Sequence, residues 1–445
     1  MSEDRKIKSL PAKLSFFQPD IVEDTVESSL LDSHYPVGFN KNTLTDPIIF
    51  DVRGTDRWMD LEDAYFAIEG QIIGQDKTVP NTPTDASNTA KLRIVNNFFS
   101  SLFSSVRVSL NNSTTTFNNE HYNYMAYFIN LLSYTSDTQN IHGSLFMWCK
   151  DTAGKMDVND DTNEGAKIRK SWVVGNKLIG SMKLCSPLFM MKPYLLPFMN
   201  LNITMNRIPD HDFLFISPAA SDFKFQIDKI VLKIRKVKTV TSFTTSIEHM
   251  LYKMNEPIRY PLTNATVFTK TYSGYGTDLI EENIFHGILP NRIVFGIVDN
   301  DAFNGSSKSK NPYNFKNKGI TEVGIKINGV PFPHQPITMN FATNDYYDAY
   351  HQFLHSLKSI TPLSNSVFIT PAEYKEGYTL FSFDMSSDQR GGLNHLSLHN
   401  QPANVQLHIK FAQSQATDII TLVVYYETST RVLIDSSRQV QVYTK

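Results

Sequence analysis

Apolar and polar positions alternate in short runs along most of the chain, and one of these runs occurs twice with the same sequel. Val106-Arg107-Val108-Ser109-Leu110-Asn111 is followed by Asn119-Glu120-His121-Tyr122 and an apolar run to Leu132. Val323-Gly324-Ile325-Lys326-Ile327-Asn328 is followed by Asn344-Asp345-Tyr346-Tyr347 and an apolar run to Leu357. The period of two predicts a strand in each case, and the i, i+3, i+7 spacing that follows predicts a helix. Tyr122, Met125, Phe128, Ile129 and Leu132 match Tyr347, Tyr350, Phe353, Leu354 and Leu357 position by position. Asn is expected to cap each helix, with an acidic residue in the first turn, where free N–H groups favour negative charge. Agreement of strand, cap and apolar register points to one structural unit made twice.

Further strands are expected at Ile48–Val52, Ala64–Ile73, Lys177–Leu184, Leu201–Met205 and Phe223–Val237 in the first half. In the second half they are expected at Ile258–Ser273, Asn291–Val298, Tyr378–Met385, Val405–Phe411 and Ile419–Tyr426. Asp76–Thr89, Lys150–Lys170 and Asn300–Lys318 are polar and read as surface loops. Many short strands, one helix per half and long polar loops predict an all-β protein of two tandem eight-stranded jelly rolls, each with a short inserted helix. The expected division is an extended N-terminal arm over 1–45, a first roll over 46–238, a linker over 239–257 and a second roll over 258–445.

Length agrees with this division, because 445 residues exceed one ordinary core. Hydrophobic residues make up 41% of the chain, and 30 Phe with 20 Tyr supply a heavy aromatic load that suits large protein–protein interfaces. A net charge of −2 lacks the footprint of a protein that coats phosphate backbones, so direct sequence-specific nucleic-acid binding is not expected. No apolar run is long enough to span a bilayer as a helix, and the start of the chain is polar, so a soluble, cytosolically made protein is expected. Two cysteines, Cys149 and Cys185, build no disulfide framework. The Asn-x-Ser/Thr triplets at Asn112, Asn202 and Asn264 matter only in a secreted chain.

The chemistry-bearing patterns are few. His351 and His355 are spaced i, i+4, but no Glu stands beside His351 as a zinc-hydrolase helix requires. Asp299-Asn300-Asp301 begins like a calcium loop, yet Phe303 and Asn304 stand where a ligand oxygen and the turn glycine belong. Cys149 beside Trp148 reads as a small buried hydrophobe and not as an activated thiolate. Gly274-Tyr275-Gly276 is a turn. The cations of Lys233-Ile234-Arg235-Lys236-Val237-Lys238 fit a solvated strand face or a protected edge, with a docking patch as the alternative. No phosphate loop, Gly-x-Ser-x-Gly or dinucleotide fingerprint occurs. The chain is therefore not expected to be an enzyme, and no catalytic, cofactor or metal residues are assigned.

Ser33-His34-Tyr35-Pro36-Val37-Gly38, Asn119-Glu120-His121-Tyr122-Asn123-Tyr124-Met125, and Phe285-His286-Gly287 leading into Pro290-Asn291-Arg292-Ile293-Val294-Phe295-Gly296 resemble the double jelly-roll major capsid proteins of the Polinton (Maverick) elements and their adintovirus relatives. That resemblance implies a structural virion protein whose homotrimer forms a pseudo-hexagonal capsomer tiling an icosahedral shell. Three copies of two similar domains would present six similar faces to the lattice. It further implies neighbouring capsomers and a penton or minor capsid protein as partners, and an arm before Thr45 that orders on assembly. The polar loops would then crown the capsomer or fill gaps between subunits. Near-zero net charge lowers repulsion between packed copies. Two other functions fit the same fold class: a receptor- or carbohydrate-binding β-sandwich, whose expected Trp clusters are missing because Trp58, Trp148 and Trp172 are scattered, and a bicupin-type metalloenzyme, whose His-x-His pairs are missing.

Overall fold

The computed structural model describes residues 24–73, 92–115, 120–135, 139, 141, 143–158, 160–208, 214–216, 223–284, 287, 289–357, 367–387, 389 and 402–444. The expected Asp76–Thr89 loop, the first 23 residues of the arm, Asn119 and Phe285-His286 lie outside them.

Among the described residues, ten strands form the first half: β1 (Val26–His34), β2 (Ile48–Val52), β3 (Trp58–Ile73), β4 (Arg93–Ile94), β5 (Phe103–Leu110), β6 (Ser113–Thr114), β7 (Lys177–Met182), β8 (Leu201–Arg207), β9 (Phe215–Ile216) and β10 (Lys224–Thr239). Two four-stranded antiparallel sheets, in the orders β1-β10-β3-β7 and β2-β8-β5-β6, enclose its core, and β4 pairs with β9 beside them.

The second half repeats this order with β11 (Ile258–Tyr275), β12 (Asp278–Glu281), β13 (Arg292–Asp299), β14 (Ile320–Ile327), β15 (Val330–Thr338), β16 (Phe381–Asp384), β17 (Val405–Phe411) and β18 (Gln415–Ile434). Its sheets are β11-β18-β13-β16 and β12-β17-β14-β15, and β19 (Val440–Thr444) adds to β18. Strands far apart in sequence pair as first with eighth and second with seventh, which is the connectivity of a jelly roll. The molecule is all-β with two tandem eight-stranded jelly rolls, as expected.

The repeated segments occupy equivalent places. Both repeated strands, β5 and β14, are the fourth of their eight, and Val106, Val108 and Leu110 in one and Val323 and Ile325 in the other are buried. The helices α2 (Tyr122–Ser133) and α6 (Tyr347–Ser356) each follow the fifth strand. Phe128 and Phe353 are both 0% exposed. The caps differ from expectation. His121, in the left-handed region at φ 58°, and Tyr346 occupy the N-cap positions, and neither side chain makes a capping bond. Asp348 does stand in the first turn of α6, whereas α2 has no acidic residue there. Asn344 sits at φ 60° within the turn before α6, where its Oδ1 accepts a hydrogen bond from Lys375 Nζ at 2.7 Å. Tyr347, paired in the alignment with buried Tyr122, is exposed.

Helices are more numerous than one per half. Besides α2 and α6 there are α1 (Phe98–Ser101), α3 (Glu164–Ser171), α4 (Thr241–Tyr252), α5 (Asn300–Phe303) and α7 (Pro371–Lys375). The expected linker is largely α4, which buries Leu251 and leaves Phe243, Met250 and Tyr252 exposed.

The arm is corrected too, because residues 26–34 are the first strand of the first roll. Its side chains are exposed or half-buried throughout, so no apolar alternation marks it in the sequence. Backbone pairing with β10 and charge hold it instead. Lys236 reaches Asp32 at 2.8 Å, Lys238 reaches Glu27 at 3.0 Å and Lys233 Nζ donates to Ser33 Oγ at 2.6 Å. The basic stretch thus lies on a central strand, between β1 and β3, and not on an edge. Arg235 completes the set by pairing with Asp63 of β3 at 2.8 Å.

Candidate functional site

Among the described residues, a network of buried polar and aromatic side chains lies where the two rolls meet. The Lys150–Lys170 and Asn300–Lys318 stretches, expected as outer loops, form this seam. Asp151 and Arg169 are almost fully buried, and the guanidinium Nη2 stands 2.6 Å from the carboxylate. Asn163 donates to the same carboxylate at 2.9 Å, and Asn311 of the second roll donates to its other oxygen at 3.1 Å. Tyr378 of the second roll donates its hydroxyl to the Asp151 carbonyl at 2.7 Å. Asn163 also caps α3 by accepting from the Ala166 N–H, so helix and ion pair fix one another. Gly165 is required by close approach, since a Cβ there would stand 2.0 Å from the Lys150 carbonyl oxygen.

Aromatic rings close the seam beside this network. Tyr127 of α2 stacks on Tyr313 with centroids 4.1 Å apart and planes 4° from parallel. Phe128 lies 5.3 Å from Phe315 and 5.4 Å from Tyr425, and the Tyr124 hydroxyl donates to the Pro312 carbonyl at 2.9 Å. Burial pushes the Tyr127 and Tyr378 hydroxyls well above the ordinary range, with Asp151 adding to the effect on both. Farther along, Tyr260 on β11 accepts from the Leu196 N–H and donates to the Tyr194 carbonyl, both at 3.1 Å.

Charges stitch the outer part of the seam. Lys316 bridges Asp157 of the first roll at 2.9 Å and Asp299 at 2.8 Å, while Lys310 and Lys318 also reach Asp299. Burial pushes the Asp299 carboxyl up, but hydrogen bonds and charge from Lys316 and Lys318 outweigh it and hold the group well below the usual carboxylate range. Lys150 pairs with Glu373 at 2.8 Å and lies over the Phe368 and Tyr378 rings.

The sequence candidates for chemistry take other places. Asp299 and Asp301 bind lysines, with Lys310 reaching Asp301 at 2.8 Å, and the intervening Asn300 opens α5. The rings of His351 and His355 stack 6.3 Å apart on the exposed face of α6, and among the described residues no group of three or more His, Cys, Asp or Glu could hold a metal ion. Cys149 is half-buried, and a cation is near it, because Arg169 Nη1 donates to its carbonyl oxygen. Burial pushes the Cys149 thiol up against the opposing effect of Arg169, and the buried Cys185 thiol is pushed up to about 12. Asn264 is buried within β11. The Asp151–Arg169 network is what sequence reasoning missed. Its one local signal was Asn163-Glu164 ahead of Arg169-Lys170, the start and stop chemistry of a short helix.

The seam joins the two rolls, and a second buried ion pair, Arg292 with Glu427 at 2.6 Å, lies within the second. The chain is thereby defined as a double jelly-roll protein.

No known family profile matches the sequence. An uncharacterized Caenorhabditis elegans protein is 22% identical over 376 residues, covering 83% of this chain and 86% of that one. Among solved structures, the Sputnik virophage structure aligns with a TM-score of 0.63 at 11% identity, over 100% of this chain and 95% of its own. The PBCV-1 capsid aligns with a TM-score of 0.59 at 10% identity, over 97% and 100%. The mavirus major capsid protein aligns with a TM-score of 0.55 at 10% identity, over 100% and 97%. At these identities the likeness is one of fold, and it extends through both rolls.

Proposed function

We propose that this protein is a major capsid protein whose homotrimer forms a pseudo-hexagonal capsomer of an icosahedral shell. The observation that carries the reading is the pair of jelly rolls with identical strand order, welded by a buried seam, in a chain that aligns from end to end with viral capsid structures. Two near-equivalent domains held rigidly side by side let three chains offer six similar faces to a lattice. The residues that resemble Polinton and adintovirus capsid proteins support assigning it to that group. The two rolls, the first taking in β1 and the second beginning at β11, are the domains, with α4 between them. Neighbouring capsomers and a penton or minor capsid protein are its partners, the virion is its location, and its role is structural and not enzymatic.

Negative-stain imaging of the purified protein tests this reading. Particles with a six-lobed, near-hexagonal outline are expected. Two-lobed particles the size of one chain at every concentration would overturn it.

A further inference from the structure

The helix between the rolls, α4, carries two apolar stripes, and only one of them is used by the fold. Leu251 is buried, Thr244 is half-buried, and the first turn is anchored. Trp58 Nε1 donates to Thr239 Oγ1 at 3.2 Å, that hydroxyl meets Thr244 Oγ1 at 2.9 Å, and the Phe243 ring stands 6.0 Å from the Trp58 ring. Phe243, Ile247 and Met250 form the second stripe, spaced i, i+4, i+7, which at about 100° per residue gathers them within about 60° of the helix circumference. Met254, four residues further and just past the helix end, continues it. Ile247 is half-buried, but Phe243, Met250 and Met254 are 38%, 45% and 63% exposed, so among the described residues this stripe is left uncovered.

The N-terminal arm joins the first roll beside this stripe. The Thr25 carbonyl accepts a hydrogen bond at 2.9 Å from the N–H of Val240, the N-cap of α4, so the chain that precedes Thr25 arrives at the start of the helix. That chain has an apolar pattern of its own in the sequence. Leu10, Leu14, Phe17 and Ile21 follow the same four-three-four spacing as Phe243, Ile247, Met250 and Met254, with Phe16 and Val22 beside them. Stripes of this spacing are what two segments use to bury apolar side chains against each other. Pro11 and Pro19 bracket Leu14 to Phe17, so a helical match is confined to the middle of the segment. Charge agrees with the pairing. The first turn of α4 contains no acidic residue and its N-cap makes no side-chain bond, while Asp20, Glu23 and Asp24 are the charged residues just before Thr25. Free N–H groups at a helix start favour such negative charge.

We infer that residues 10–22 of this chain dock on the outer stripe of α4 in the same molecule, running antiparallel to the helix, whether or not the chain trimerises. Reach is sufficient, because the 12 residues of α4 span about 18 Å, which about six extended or twelve helical residues cover. Ile21 and Val22 then lie at the Phe243 end and Leu14 and Phe17 at Ile247 and Met250. The basic tip from Arg5 to Lys8 is left beyond the helix end, where Glu256 is exposed. An uncovered apolar stripe at the joint between two domains is an association liability, and a segment already tethered beside it removes that liability without a partner.

The test uses the full chain with a benzophenone amino acid in place of Met250. After irradiation, a crosslink from position 250 into residues 10–22 is expected, in a product that runs as a single chain on a denaturing gel. No crosslink into that segment overturns the inference, and so does a product that runs as two chains, because the cover then comes from a second copy. Hydrogen exchange gives the second readout. Phe17→Asp combined with Ile21→Asp is expected to speed exchange of the 241–252 amides about tenfold while the strands of both rolls exchange as in the parent. Ile7→Asp, outside the segment, is expected to leave those amides unchanged. Exchange that the double variant does not alter, or that Ile7→Asp alters equally, overturns the docking. A monomeric parent that gives the single-chain crosslink would sink the capsomer reading and leave this one standing.

Discussion

Replacing Asp151 with Ala cuts the seam at its most buried point. In the native protein Arg169 is fully buried and is neutralised by Asp151 at 2.6 Å, with the Ile94 and Cys149 carbonyls accepting its other N–H groups. Removing the carboxylate leaves an uncompensated guanidinium in a dry site, a change that costs about 3–5 kcal/mol. Asn163 and Asn311 lose an acceptor at the same time, and an orphaned buried donor costs about 1–3 kcal/mol. These losses share one site and do not add in full, so about 5 kcal/mol is expected. Urea unfolding read by tryptophan fluorescence measures it, because buried Trp148 lies 5.2 Å from the ring of Tyr127 in the seam. The double variant Asp151→Leu with Arg169→Met removes both charges and is expected to be more stable than Asp151→Ala alone. A cost under about 1 kcal/mol for Asp151→Ala, or a double variant worse than the single one, would refute the role given to this pair.

Phe128→Asp and Phe353→Asp each put a carboxyl where a 0% exposed ring sits, and both are expected to destabilise by several kcal/mol in thermal melts, about 3–5 from lost packing alone. Phe128→Asp is expected to be the worse, since its ring also touches Phe315 and Tyr425 across the seam. Tyr260→Phe leaves the Leu196 N–H and Tyr194 carbonyl without their partner and is expected to cost about 1–3 kcal/mol in urea unfolding. Asp299 has a folded-state pKa below its unfolded value near 4, so its contribution is present above about pH 4 and is lost as pH falls through the folded value. Asp299→Asn is accordingly expected to lower stability at pH 7 and to flatten its decline below about pH 4 in a pH series of melts.

The parts of the fold that a reader finds in the sequence are those where one face is apolar and the other wet. β5, β8, β14 and β17 alternate because their alternate side chains enter a core, and Val405, Leu407 and Ile409 on β17 show the same pattern as Leu201, Ile203 and Met205 on β8. β1 carries no such pattern because it is exposed on both faces. β6 is two residues long, and β15 contains Pro331, Pro333 and Pro336, so neither fifth strand has a strand signature. The seam was hidden for a different reason. Asp151, Asn163, Arg169 and Asn311 are polar or charged by type, and only partners 12 to 160 positions away make them core residues. A polar network is invisible to hydrophobic periodicity, and so the stretches with the most structural consequence looked like surface loops.

The mass of the purified protein, measured by light scattering on the size-exclusion peak, decides whether three chains assemble. Three chains of 50.6 kDa give about 150 kDa, and a peak of that mass that persists on dilution is expected. A single peak near 50.6 kDa, unchanged at high concentration, would contradict it.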